Sequence, residues 1–252
     1  MTTDPSLIAR LDGVVVRHPD RGPIGPVDLH VTRGEIVALV GASGCGKSTL
    51  LRLLAGLETP DAGRVERRVD RGRTGLVFQN ATLMPWAAAV DNVALPLRLS
   101  GQPKDQADAQ ARAALAQVGL GDRAGARPHQ LSGGMAMRAS LARALVTDPD
   151  LLLLDEPFAA LDSATRRALI EDIHALWART RPAVVFVTHD VEEAAYMTGR
   201  VLVMGAADGR IAAEIRTPGA LPRPAAHRLD PAHARCVEQI ATALDATMGP
   251  AA

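Results

Sequence analysis

The run Gly41-Ala42-Ser43-Gly44-Cys45-Gly46-Lys47-Ser48 constrains this chain more than any other feature. It follows Glu35 to Val40 (EIVALV), a short continuous apolar stretch of the kind buried on both faces of a parallel sheet. It leads into Ser48 to Leu57, which reads as a helix. Glycines between a strand and a helix let backbone N–H groups curl around phosphate oxygens, at a helix N-terminus whose dipole favours anions. In that setting Lys47 reaches the β and γ phosphates of a nucleoside triphosphate, and the Ser48 hydroxyl ligates Mg²⁺. An ordinary glycine-rich turn has no need of the strand, the lysine and the hydroxyl together.

The apolar pattern recurs. Thr74 to Phe78, Leu151 to Leu154, Ala183 to Thr188 and Val201 to Met204 read as further strands. Helical stretches lie between them, such as Ala164 to Trp177, where Leu169, Ile170, Ile173, Leu176 and Trp177 share one face. Strands alternating with helices imply a mostly parallel central sheet and, with the phosphate loop, an α/β fold of the P-loop NTPase kind. From Val90 to Asp150 the alternation stops: Ala107, Ala111, Ala114, Leu115 and Val118 recur at helical spacing, Gly119 ends the run, and a helical insert is expected. Ile8 to Val31 mixes Val-rich pieces with the turn residues Pro19, Asp20, Gly22, Pro23 and Pro26, which suits an N-terminal antiparallel β layer. After Met204 a Pro-rich stretch, Thr217 to Pro231, leads to a last helix with Asp230 as cap and Val237, Ile240, Ala241 and Leu244 on its apolar face. The expected division is β layer and first part of the core at 1–89, helical insert at 90–150, second part of the core at 151–216, and linker with terminal helix at 217–252.

Leu151 to Leu154 delivers Asp155 and Glu156 to the carboxyl edge of such a sheet, where ligands bind. Asp155 there holds Mg²⁺ through water, and Glu156, one residue further, faces the γ phosphate as general base toward the attacking water. Gln79 and His189 each follow an apolar strand and emerge on the same edge; taken singly, one is a polar strand end and the other a structural histidine. Leu131-Ser132-Gly133-Gly134 opens a second helical run, Met135 to Val146, whose start is either an anion site or a simple cap.

In this order the pieces resemble the nucleotide-binding subunits of ATP-binding cassette (ABC) transporters over nearly the whole chain. They are the phosphate loop through Thr49, Gln79, Leu131 to Gly134, the acidic strand 151–156, Ala160-Leu161-Asp162, and His189. The resemblance implies an ABC ATPase that uses ATP and Mg²⁺. It implies a pair of chains packed head to tail, a homodimer in the simplest case, each ATP lying between the phosphate loop of one copy and Ser132, Gly133 and Gly134 of the other. Gln79 then contacts Mg²⁺ and the γ phosphate, His189 contacts the γ phosphate and positions water, and Asp162 links the two sites.

Ala81 to Trp86, Val90 to Val93 and Thr188 to Ala195 are most similar to importer ATPases of the nitrate, sulfonate and taurine group. In those systems the surface after the glutamine, here Thr82 to Asn92, receives a helix of the transmembrane permease, which a solute-binding protein feeds from the other side. Met84-Pro85-Trp86 is then an exposed docking patch; the other reading makes Trp86 part of the core. Three positions depart from the family pattern. Met135 stands where a glutamine is usual, His18 stands near the place of an aromatic residue that stacks on adenine, and Ala160 replaces a serine.

Composition narrows the alternatives. With 28 basic and 28 acidic residues the formal charge is zero, so the electrostatic footprint of a nucleic-acid binder is missing and no nucleic-acid partner is expected. Cys45 and Cys236 fit no metal-ligand spacing and suit a reducing compartment. Met1 to Arg10 carries no export pattern and no window approaches the ~18 apolar residues of a bilayer span, so a chain neither exported nor membrane-spanning by itself is expected; the resemblance implies a place on the cytoplasmic face of the inner membrane, held by its partner. A soluble ABC ATPase outside transport is the alternative; the single cassette and the lack of a coiled-coil insertion stand against it. A G protein or small-molecule kinase leaves Leu131 to Gly134 unexplained, and no Asn-Lys-x-Asp guanine-reading run is present.

Overall fold

The structure, a computed structural model, describes residues 5–17, 22–70, 72–159 and 161–248. The chain opens with β1 (Leu7–Val16) and β2 (Ile24–Thr32), continues through β3 (Ile36–Gly41) and α1 (Lys47–Ala55), and returns in β4 (Ala62–Arg67). β4 and β2 flank β1 in a three-stranded antiparallel layer. Then follow β5 (Thr74–Val77), three helices α2 (Ala89–Leu99), α3 (Lys104–Gln117) and α4 (Gly133–Leu145), β6 (Leu151–Asp155), α5 (Ser163–Thr180), β7 (Ala183–Thr188), α6 (Val191–Met197), β8 (Arg200–Met204), β9 (Ile211–Arg216) and α7 (Pro231–Met248).

The central sheet has the order β5-β6-β7-β3-β8-β9, parallel throughout except for antiparallel β9 at the edge. Its inner strands are apolar without alternation because both faces are covered. On one face Ala38, Val40, Leu154 and Phe186 pack with Ile170, Ile173 and Trp177 of α5 and Ile240 of α7. On the other, Leu39, Leu153 and Val185 pack with Leu50, Leu53 and Leu54 of α1 and with the β1–β2 layer. A separate core unites α2, α3 and α4 around Val93, Leu97, Ala111, Leu115 and Ala139. Fully buried Ala107 and Ala111 give α3 a small-residue face that lets it approach its neighbours.

The tail is fastened by Arg223. Its guanidinium, 2% exposed, donates to the carbonyls of Ala195, Tyr196 and Thr198 at the end of α6. Burial lowers its pKa to about 10, which still leaves the group charged at neutral pH. Asp230 accepts from Ala232 N at 2.7 Å and caps α7 as its sequence implies; besides Ile240, the helix buries His233 and Cys236.

Three elements went unread in the sequence. β4 (AGRVER) is largely exposed and carries no apolar face to recognise. α6, at seven residues, is too short to display a helical period. β9 does alternate, Ile211, Ala213 and Ile215 facing one way, so its signal was present.

One close approach ties the helical insert to the sheet. A Cβ at Gly75 of β5 would lie 2.6 Å from the Ala144 carbonyl oxygen of α4, so backbone would have to move. Gly75→Ala is expected to destabilise the chain by about 1–3 kcal/mol in denaturant unfolding.

Candidate nucleotide site

β3 ends at Gly41, and the loop crosses to α1 through Gly44 and Gly46, both left-handed (φ 81° and 112°), a conformation that other residues resist. No side chain caps the first turn of α1, so its N–H groups face a ligand from outside. Lys47 is 5% exposed, and its Nζ donates to the carbonyls of Gly41 (2.8 Å) and Ala42 (3.0 Å). Ser43 and Gly44 are exposed on the rim. Cys45 turns inward: its side chain is buried beside Gly41, burial pushes its thiol pKa up, and only its backbone is left to the cradle. Thr49 is buried behind the loop.

Strand register brings the other groups to this edge. Asp155 pairs with Val187 and Val40 with Thr188, so the strand ends of β3, β6 and β7 stand level. Ser48 Oγ donates to Asp155 Oδ1 at 3.1 Å. Burial raises the Asp155 carboxyl above the ordinary aspartate range; the Ser48 bond opposes this and the neighbouring Glu156 charge adds to it.

Glu156 takes a left-handed backbone (φ 45°), uncommon for a residue with a side chain, while its N–H stays bonded to Val187 O at 3.0 Å. Its carboxylate accepts from Gln79 Nε2 at 3.3 Å and lies 3.3 Å from His189 Nδ1. The three residues read separately from the sequence thus form one cluster. Asp190 accepts from Glu192 N and Glu193 N, capping α6 just beyond His189.

Two further residues hold the loop that follows Gln79 and were not singled out in the sequence. Arg143 of α4 donates to Ala81 O, Thr82 O and Thr82 Oγ1. Asn92 of α2, fully buried, accepts from Met84 N and donates to the carbonyls of Met84, Ala87 and Ala88. Apart from Thr82 Oγ1 the partners named are backbone atoms, which leave no pattern in a sequence. Between the two clamps Trp86 is 72% exposed, which resolves its two readings in favour of a surface residue.

Ser132 caps α4, its hydroxyl accepting from Met135 N at 3.3 Å. Met135, half-buried, packs against the core of the helical insert, where a glutamine would have offered a polar group. Asp162 caps α5, accepting from Ala164 N and Thr165 N, each at 3.0 Å. His18 and Ala160 lie outside the described residues.

A protein-family model described as ABC transporter matches residues 24–159, more than half of the chain. The chain belongs to the ABC transporter family. Among its curated relatives, the cassette is 51% identical over 197 residues, 78% of each chain, to the aliphatic sulfonates import ATP-binding protein SsuB of Mycobacterium sp. (strain MCS). It is 48% identical over 236 residues to the SsuB protein of Ralstonia nicotianae, covering 92% of this chain and 79% of that one. In fold this ABC cassette is similar to the dimeric ATP-binding cassette MJ0796 in a post-hydrolysis state bound to ADP and Pi. The TM-score is 0.73 at 29% identity, over 84% of this chain and 100% of that one.

The half-buried Asp155 carboxyl gives a test. Because the folded chain holds the Asp155 proton more tightly than the unfolded chain, this group subtracts stability as pH rises past the ordinary aspartate range. Asp155→Asn removes that penalty. In chelator at neutral pH the variant is expected to melt above the parent, and the gap should close toward low pH; a lower midpoint at neutral pH contradicts the assignment.

Proposed function

We propose that this cassette hydrolyses ATP to drive uptake of a small solute of the nitrate, sulfonate and taurine class through a transmembrane permease. The observation that carries the reading is the meeting of Ser48 with Asp155, and of Gln79 and His189 with Glu156, on the edge beside Lys47. Identity of 48–51% to sulfonate import proteins favours transport over a soluble ABC ATPase.

The loop amides and Lys47 bind the β and γ phosphates. The Ser48 hydroxyl and the Asp155 carboxylate, 3.1 Å apart, are hard oxygen donors that fit Mg²⁺, with Gln79 adjoining the site through Glu156. Mg²⁺ held by these groups would supply positive charge against the triphosphate. Glu156 accepts a proton from water as its oxygen attacks the γ phosphorus; the bond to the β-phosphate oxygen breaks, yielding ADP and inorganic phosphate. His189 and Gln79 both contact Oε2 of Glu156, which fixes the carboxylate that orients the water.

In this reading the site is completed by Ser132, Gly133 and Gly134 of a second copy, so that ATP closes the pair and hydrolysis reopens it. The division into 1–89, 90–150, 151–216 and 217–252 gives the phosphate loop and the 132–134 turn to different parts of the chain. His18 would serve as the smaller platform beside adenine. Among the described residues no helix is long and apolar enough to cross a membrane. The cassette then works at the cytoplasmic face of the membrane, docked on permease subunits through the turn that presents Trp86, with a solute-binding protein acting indirectly from outside.

Glu156→Gln is expected to retain ATP binding, lose turnover by at least about a hundredfold and accumulate as a closed dimer with ATP, seen by size-exclusion chromatography. Hydrolysis at the parent rate removes Glu156 as the base. Trp86→Ala is expected to reduce recovery of the permease in co-purification while leaving the thermal midpoint of the chain in place, since the indole is exposed.

A further inference from the structure

The two glycines of the 131–134 turn stand in different surroundings. A Cβ at Gly133 would meet nothing within 4 Å, whereas one at Gly134 would lie 2.5 Å from Cγ2 of Thr165 and 3.8 Å from Cδ2 of Leu161. Neither glycine has a left-handed backbone, so space and not conformation fixes the residue type at 134. Thr165, in the first turn of α5, cannot swing its methyl away freely. Its hydroxyl donates to Asp162 Oδ2 at 2.6 Å and its N–H donates to Asp162 Oδ1 at 3.0 Å. A β-branched side chain held in this way has one favoured rotamer, and leaving it breaks the hydroxyl bond.

We infer that Thr165 is a positioning residue that locks the Ser132–Gly134 turn to the loop running from Glu156 to Asp162, and that residue 134 is glycine because the Thr165 methyl fills the space of a side chain there. Gly133, facing open space, is the glycine that leaves room for a ligand approaching from outside the chain. The inference rests on the reading that the turn completes a second copy's nucleotide site. Seating of the turn on that nucleotide is then felt, within the same chain, by the loop that carries Glu156. The two sites of a pair communicate through an alkyl contact and the hydrogen bonds of one threonine.

The test is second-site rescue in the full-length chain. Gly134→Ala drives the new methyl into Thr165; Thr165→Ser removes the obstructing Cγ2 and keeps the hydroxyl for Asp162. Gly134→Ala alone should lose about tenfold or more in kcat, and the double variant should return to within about threefold of Thr165→Ser alone. Thermal midpoints should show the same non-additivity. Additive losses in both measurements, or a Gly134→Ala chain with parent turnover, overturn the inference. Recovery of stability without recovery of kcat also overturns it, because the glycine would then serve the neighbour's nucleotide and not Thr165. Failure of the underlying reading shows separately, as parent turnover in Ser132→Ala.

Discussion

A lysine ammonium withdrawn from water is the interaction around which this molecule is arranged. Lys47 is 5% exposed, and its Nζ donates to the carbonyls of Gly41 and Ala42 and to no carboxylate among the described residues. Removing an ammonium from water without a counter-charge is costly, of order several kcal/mol even after relaxation. The protein meets part of that cost with two carbonyl dipoles, and the exposed N–H groups of α1 add positive potential beside it. An anion of high charge density completes the arrangement. The half-buried Asp155 carboxyl, bonded to Ser48, is the complementary feature, since it stands ready for a cation that accompanies such an anion.

The parallel sheet is what holds these opposite charges at a fixed separation. Three strand ends set level by the β3–β7 and β6–β7 registers bring Gly41, Asp155 and Thr188 to one edge, and the next residues along each strand carry the chemistry. Continuous burial of β3 and β7 on both faces makes a slip in register costly, so the geometry of the edge inherits the rigidity of the core.

Much of this was legible in advance because the elements that matter have strong local signatures. β3, β6 and β7 are uninterrupted apolar runs, the loop after β3 has a fixed spacing of glycine, lysine and serine, and Asp230 is a capping residue read from residue type, as was one of the two readings of Ser132. What stayed hidden leaves no period in the sequence. The Arg143 clamp on the 81–82 backbone and the contact of Gly134 with Thr165 arise between segments distant in sequence, while the left-handed backbone at Glu156, the inward turn of Cys45 and the Asn92 clamp are local turns of backbone. Periodicity cannot report them. Exposure of Trp86 is a similar case, since an indole's place is decided by the loop that carries it.

The central claim is that each nucleotide is gripped by the loop before Lys47 of one chain and the Ser132 turn of another. Mixing two inactive variants tests it most directly: Lys47→Ala disables every phosphate loop in its own dimer, and Ser132→Arg disables every turn. If sites are shared, a mixed dimer holds one intact site, so turnover should reappear on mixing, up to about a quarter of the parent value for random pairing. If the mixture stays as inactive as its components while mixed dimers are shown to form, each chain carries a self-contained site and the account fails.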